Sequence, residues 1–313
     1  MNVGDLSSER FAGQLADEGV AIRWGPFVSR ITTPIRELAA ALHVLYADFP
    51  VAPAGVCDFR VSVRPRSPRL PWSHDQLEFL LDGERIYQPF GRRFALPMLE
   101  WGLNWCVYGL AHNFLVIHAA AVERADQVLL LPGGSGIGKS TLCAGLVDAG
   151  WRLLSDELAL LDPAGGRIFP LARPISLKND AIDIIRDLAP EVVLGPPATD
   201  TRKGTVVHMK PPAQSVLRAQ EAGSPRWIVM PAFAEGTPLH LDPISKASAF
   251  IRVADHALNY QVLGATGFHA LVRLIDACAC YEMRHAALDA AVAALTDLTI
   301  EAPSGRRRAT AGA

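Results

Sequence analysis

The chain has 313 residues, half of them hydrophobic and a fifth charged, with a formal net charge of −2. That length accommodates one large α/β domain and a smaller one, because single cores stop growing near about 250–300 residues. The balanced charge leaves no electrostatic footprint for nucleic acid or an anionic membrane, and Met1 to Arg10 lack the cationic and apolar regions of a secretion signal, so a cytoplasmic protein is expected.

Val20 to Ile31 reads as a strand, Pro34 to Tyr46 as a helix and Val56 to Val63 as a further strand, followed by a Pro- and Arg-rich loop from Arg64 to Arg69. Leu77 to Leu81 and Glu84 to Tyr87 flank Asp82-Gly83, a strong hairpin signal. These elements form a small α+β domain over residues 1–95. Leu96 to Ala111 has a broad apolar face and reads as a helix leading into a second domain, residues 96–300. The most apolar stretch, Leu103 to Val122, is interrupted by Asn104, His112, Asn113 and His118, which favours core over a membrane span.

Phe114 to Val122 and Gln127 to Leu131 read as strands, and the second runs into a glycine-rich loop. Gly138 to Ala149 follows as a helix, stopped by Gly150. Trp151 to Leu154 is a short apolar strand ending in Ser155-Asp156-Glu157, and Leu158 to Leu161 is expected to pair with Arg167 to Phe169. Residues 195–204 are rich in Pro, Thr and charge without periodicity and read as a mobile loop. Arg226 to Met230 and Pro238 to Leu241 suggest strands, while Ile244 to Leu263, Thr266 to Ala277 and Ala286 to Leu298 suggest helices; residues 301–313 read as a disordered tail. Five scattered cysteines, Cys57, Cys106, Cys143, Cys278 and Cys280, show no paired metal or disulfide spacing and read as reduced thiols.

Gly133-Gly134-Ser135-Gly136-Ile137-Gly138-Lys139-Ser140 matches the Walker A pattern between an expected strand and an expected helix. Glycines let consecutive backbone N–H groups face phosphates, and the helix N-terminus adds a favourable dipole. Lys139 reaches the β- and γ-phosphates of ATP, Ser140 holds Mg²⁺ through its hydroxyl, and Thr141 completes the list of candidate nucleotide contacts. Asp156, 17 residues after Lys139 at a strand end, is placed to join Ser140 beside the Mg²⁺, and Glu157 adjoins it. His118 lies in the apolar strand just upstream; on its own, such a histidine is more often a hydrogen-bonded core residue than a catalytic one. The other histidines, including His208 and His256, form no ligand pattern.

Together His118, the Gly133–Ser140 loop and Ser155-Asp156-Glu157 resemble the core of the HPr kinase/phosphorylase family, and more closely its HprK-related kinase A group. His118 and Lys139 are 21 residues apart, and Lys139 and Glu157 are 18 apart, in register with the family pattern. The resemblance covers Leu115 to Phe169. It implies an α/β P-loop domain similar to that of phosphoenolpyruvate carboxykinase, and Mg-ATP-dependent phosphoryl transfer to a serine or threonine hydroxyl of a protein or peptide. The family often forms oligomers, so the resemblance allows a homo-oligomer, although the sequence carries no interface signature. By the same resemblance Lys139 binds phosphate, Ser140 and Asp156 stand on the magnesium side, Glu157 is the base, and His118 is its hydrogen-bonding partner.

Two departures bear on the chemistry. Glu157 stands where the family has a second Asp, and Ile175-Ser176-Leu177-Lys178-Asn179 replaces its E-[IV]-R-G segment, exchanging a metal-side carboxylate for the positive charge of Lys178. This weakens the case for the reverse, dephosphorylating reaction. Arg202, with Lys203 beside it, is the candidate phosphate-neutralising cation. The rival readings are a P-loop ATPase, a nucleotide-gated binding module and a small-molecule kinase.

Overall fold

The computed structural model describes residues 1–53, 55, 57–66, 75–134 and 136–301. The first sheet is framed by α1 (Ser8–Ala16), β1 (Val20–Trp24), β2 (Phe27–Thr32), α2 (Arg36–Leu45), β3 (Phe59–Pro65), β4 (Gln76–Leu81), β5 (Glu84–Arg85) and β6 (Phe90–Gly91). The strands run in the order β1-β2-β3-β4-β5, with β6 also on β4. Only β2 and β3 are parallel, and α2 is the crossover between them. The long helix α3 (Ala95–Leu110) then buries Leu99, Leu103, Cys106 and Val107 in the core beneath this sheet.

The second sheet is built from β7 (Leu115–Arg124), β8 (Gln127–Pro132), β9 (Arg152–Ser155), β10 (Leu158–Leu161) and β11 (Ile168–Phe169), with helix α4 (Lys139–Asp148) following β8. Next come β12 (Ile175–Lys178), α5 (Asp180–Leu188), β13 (Ala198–Thr201), β14 (Gly204–Met209) and α6 (Ala213–Leu217). The chain closes with β15 (Ser224–Phe233), β16 (His240–Pro243), α7 (Lys246–Ala254), α8 (Tyr260–Ala277), β17 (Ala279–His285) and α9 (Leu288–Glu301). The large sheet has the order β11-β10-β7-β8-β15-β17-β16, with β9 also on β7; β12, β14 and β13 form a separate three-stranded sheet. The pairs β8·β15 and β15·β17 are parallel and their neighbours antiparallel, so the architecture is mixed α/β.

Burial explains why the centre of this sheet lacks polar alternation. Leu115–Ile117 and Ala119–Val122 of β7, and Val128–Leu131 of β8, are all covered, because α4 and α9 pack on one face while α7 and α8 pack on the other. Arg152 of β9 is buried too, and its guanidinium meets Glu123 of β7 as well as the carbonyls of Arg218 and Glu221. Among the described residues no helix is long and apolar enough to cross a membrane.

Several local expectations change. Val20 to Ile31 is not one strand but a hairpin, β1 and β2 joined by Gly25-Pro26, and Arg64-Pro65 belong to β3 rather than to a loop. Val56, residues 67–69 and residues 302–313, named above as strand, loop and tail, lie outside the described residues. Residues 195–204 are not an irregular loop: Ala198–Thr201 form β13, paired with β14. The expected helix Ile244–Leu263 is two helices, since Asp255 to Asn259 break it and let His256 and Ala257 approach β7. Thr266 belongs to α8, which bends at Gly264.

The turn of the first hairpin ties the two sheets together. Gly25 has φ +61°, its carbonyl accepts a hydrogen bond from Gln220 Nε2 at 2.6 Å, and a Cβ there would lie 2.2 Å from the carbonyl oxygen of Pro170. Neither the left-handed backbone nor the close approach tolerates a side chain. Gly25→Ala is therefore expected to destabilise the protein by about 2 kcal/mol in urea unfolding. A midpoint equal to that of the parent would contradict this packing.

Candidate functional site

The apolar strand β8 ends at Pro132, and the chain turns through Gly133 and Gly134 before α4 begins at Lys139. Gly138 caps that helix at φ +87°, a conformation that opens the first turn and that a side chain would strain. Gly133, Gly134, Gly136, Ile137 and Gly138 thus sit in one loop ahead of a helix N-terminus; Ser135 lies outside the described residues. Ser140 and Thr141 occupy the first turn of α4, both partly exposed.

Backbone pairing brings three segments to one level. The Gly133 N–H donates to the carbonyl of His118 at 3.3 Å, and the Ala119 N–H donates to the carbonyl of Glu157 at 3.2 Å. His118 of β7 therefore stands between the loop after β8 and the turn from β9 to β10, where it faces Leu158. Adjacent strand residues point to opposite faces, but Asp156 and Glu157 lie in the turn after β9, which lets both serve one site.

Lys139 is buried, and its ammonium donates to the carbonyl of Gly133 at 3.0 Å. The Ser140 hydroxyl donates to Asp156 Oδ2 at 3.1 Å, and the same oxygen accepts the backbone N–H of Ser176 in β12 at 3.0 Å. Asp156 Oδ1 is buried without a hydrogen-bond partner. Glu157, half-buried, has Oε1 at 3.8 Å from the ammonium of Lys178 and accepts from Asn104 Nδ2 on Oε2 at 3.4 Å.

The site carries two like charges on neighbouring residues, and their surroundings separate them. Burial, then the charge of Glu157, pushes the Asp156 carboxyl above the usual carboxylate range. Burial also acts to raise Glu157, but Lys178, Lys139 and His118 outweigh it and hold Glu157 below that range. Burial lowers Lys139 from the ordinary lysine value against the pull of both carboxylates. Burial and the neighbouring Lys139 bring His118 down to about 4, so its ring is neutral at pH 7.

Not every expected contact forms. No hydrogen bond joins the His118 and Glu157 side chains; the His118 carbonyl accepts the Gly133 N–H, and its ring sits edge-on to His256, ring centroids 6.3 Å apart. Arg202 is exposed in the turn between β13 and β14, and its neighbour Lys203 is the one whose charge bears on His118 and Glu157. Lys203 lies over the ring of Trp101, 5.5 Å from its centroid.

Sequence reading missed the wall behind the carboxylates. A small cavity of about 20 Å³ is lined by Trp101, Asn104, Asp156, Glu157, Arg173 and His208, among others. Burial brings the His208 imidazole down to about 4. The polar residues Glu100 and Asn104 within an apolar helix hinted at this wall.

The donor set fits magnesium. Among the described residues no cluster of three or more His, Cys, Asp and Glu forms a metal cage. Mg²⁺, however, is commonly held by one or two carboxylates together with substrate phosphates. Ser140 and Asp156 already touch, and Asp156 Oδ1 is a buried hard oxygen with no partner, which leaves it able to take a metal ion.

An Asp whose folded pKa is raised binds its proton more tightly folded than unfolded. Its penalty is absent in acid and grows as pH rises from the ordinary value of 3.8 toward the raised one. Asp156→Asn should therefore raise the thermal midpoint of the metal-free protein at about pH 8 and leave it unchanged at about pH 4. A lowered midpoint at about pH 8 would contradict this account of the buried carboxylate.

Compared with known proteins, no family model matches the chain, and no curated protein matches it significantly.

Proposed function

We propose that this protein is a Mg-ATP-dependent phosphotransferase with a P-loop domain, similar to HPr kinases, that moves the γ-phosphate of ATP to a serine or threonine hydroxyl of a protein or peptide. The observation that carries the reading is the meeting of Lys139, the Ser140–Asp156 pair and Glu157 at one end of one sheet, around the loop that precedes α4. Each group has a role that phosphoryl transfer needs and that a purely structural loop does not.

In this reading the N–H groups of the loop and the N-terminus of α4 receive the phosphates. Lys139 leaves the Gly133 carbonyl for the β- and γ-phosphate oxygens, a better partner for a buried ammonium than a neutral carbonyl. Ser140 and Asp156 hold the magnesium ion, which supplies charge neutralisation at the phosphates. Glu157, ionised at neutral pH, accepts the proton of the acceptor hydroxyl as that oxygen attacks phosphorus and the bond to the β-phosphate oxygen breaks. Neutral His118 fixes the relative height of the loop and the carboxylates through its backbone. Lys178 and Lys203 offer positive charge on the acceptor side; Arg202 stands farther out in the same turn.

Lys139→Ala is expected to abolish useful Mg-ATP binding in calorimetric titration, and undiminished affinity in a folded variant would remove the basis of the reading. Glu157→Gln keeps the shape of the side chain and removes its basicity. It should bind Mg-ATP nearly as the parent does and transfer phosphate about 10²–10⁴-fold more slowly. Transfer at the parental rate would exclude Glu157 as the base. If Asp156→Asn alone binds without transferring, the two carboxylates exchange roles.

A further inference from the structure

Asn104 lies on α3, the helix whose Leu99, Leu103 and Val107 belong to the core of the first sheet, yet its own side chain reaches the candidate site. It is 8% exposed. Its Oδ1 accepts a hydrogen bond from Arg173 Nη2, while its Nδ2 donates to Glu157 Oε2 at 3.4 Å. A guanidinium has donors only, so the Asn104 amide cannot be turned over without setting N–H against N–H. The contact with Arg173 therefore dictates that Asn104 presents a donor to Glu157.

Arg173 is itself held from several sides. Its Nη1 donates to Glu100 Oε2 at 3.0 Å and to the Glu100 carbonyl at 3.3 Å, and its guanidinium lies over the Trp24 ring at 4.9 Å. The other oxygen of Glu100 accepts the hydroxyl of Tyr46 at 2.7 Å. Tyr46, Glu100, Arg173 and Asn104 are all buried, so these bonds lie in a low dielectric and are strengthened by it, although Arg173 Nε has no hydrogen-bond partner. The two oxygens of Glu157 thus have different partners: Lys178 on Oε1 and Asn104 on Oε2.

We propose that Asn104 is a positioning residue that sets the plane of the Glu157 carboxylate toward the acceptor hydroxyl, with Arg173, Glu100 and Tyr46 locking its amide in the required orientation. The role in catalysis rests on the phosphotransfer reading above. A neutral amide suits the task, since it fixes one oxygen without adding to the lysine charges already beside the base. The consequence for the architecture is that α3 and Tyr46, which pack in the first sheet's core, help hold Glu157 in position.

Asn104→Asp separates this role from packing. The substitution keeps the shape and the Arg173 contact but replaces the donor facing Glu157 by a carboxylate oxygen. The expected result is a folded protein in which kcat for phosphoryl transfer falls about 10–100-fold while the KM for Mg-ATP changes less than about twofold. Its crystal structure should show the Glu157 carboxylate rotated away from position 104. A purely packing role predicts parental kcat, and that result, or a Glu157 that superposes on the parent, overturns the proposal. Should Asn104→Asp not fold, Asn104→Ala removes the donor without adding charge and must show the same split between kcat and KM. A parent that transfers no phosphate, together with a displaced Glu157 in the variant, upholds the positioning and overturns the phosphotransfer reading instead.

Discussion

The register of β7 is the constraint on which the candidate site depends. One edge of this strand sets the height of the glycine loop, because the His118 carbonyl receives the Gly133 N–H. Its other edge sets the height of the carboxylates, because the Ala119 N–H binds the Glu157 carbonyl. A shift of one residue would move every buried side chain of β7 to the opposite face, and both faces are packed by helices. Hydrophobic burial along β7 thereby fixes the separation between the glycine loop and the turn that carries Asp156 and Glu157.

Around that frame the protein gathers charge that is poorly satisfied by its own partners. Lys139 is buried against a backbone carbonyl, Asp156 keeps one oxygen without a partner, and Glu157 and Asp156 repel across one peptide bond. Desolvation of this kind is costly in a stable core and common where charges await a ligand. Lys178 and Asn104 flank Glu157 from two sides, one at each carboxylate oxygen. In the phosphotransfer reading, nucleotide and magnesium supply the partners that Lys139 and Asp156 lack.

Much of this was legible in the sequence where the signal is local. The apolar run of β8, the glycines, and Lys139-Ser140 at the start of α4 lie within one short stretch, Gln127 to Ser140, and follow from periodicity and turn chemistry. Asp156 and Glu157 were placed by the end of a short apolar strand. The hairpin of β13 and β14 was not legible, because Ala198–Thr201 is polar and forms a strand only through pairing with β14. The break in the expected helix after Ala254 has a tertiary cause, the docking of His256 and Ala257 against β7. Asn104 stands 53 residues before Glu157 and 69 before Arg173, so no spacing in the chain announces their network. The side-chain hydrogen bond between His118 and Glu157 implied by family resemblance is not formed; His118 bonds to the glycine loop through its carbonyl.

The central claim is transfer of phosphate to a hydroxyl, and the most direct measurement follows the phosphate itself. The protein is incubated with Mg²⁺ and γ-labelled ATP together with lysate proteins and serine- or threonine-containing peptides, and the products are resolved by mass spectrometry. The account predicts label on a serine or threonine oxygen of an acceptor, dependent on Lys139 and Glu157. Label recovered only as free phosphate, or ATP left intact across that range of acceptors, would contradict it.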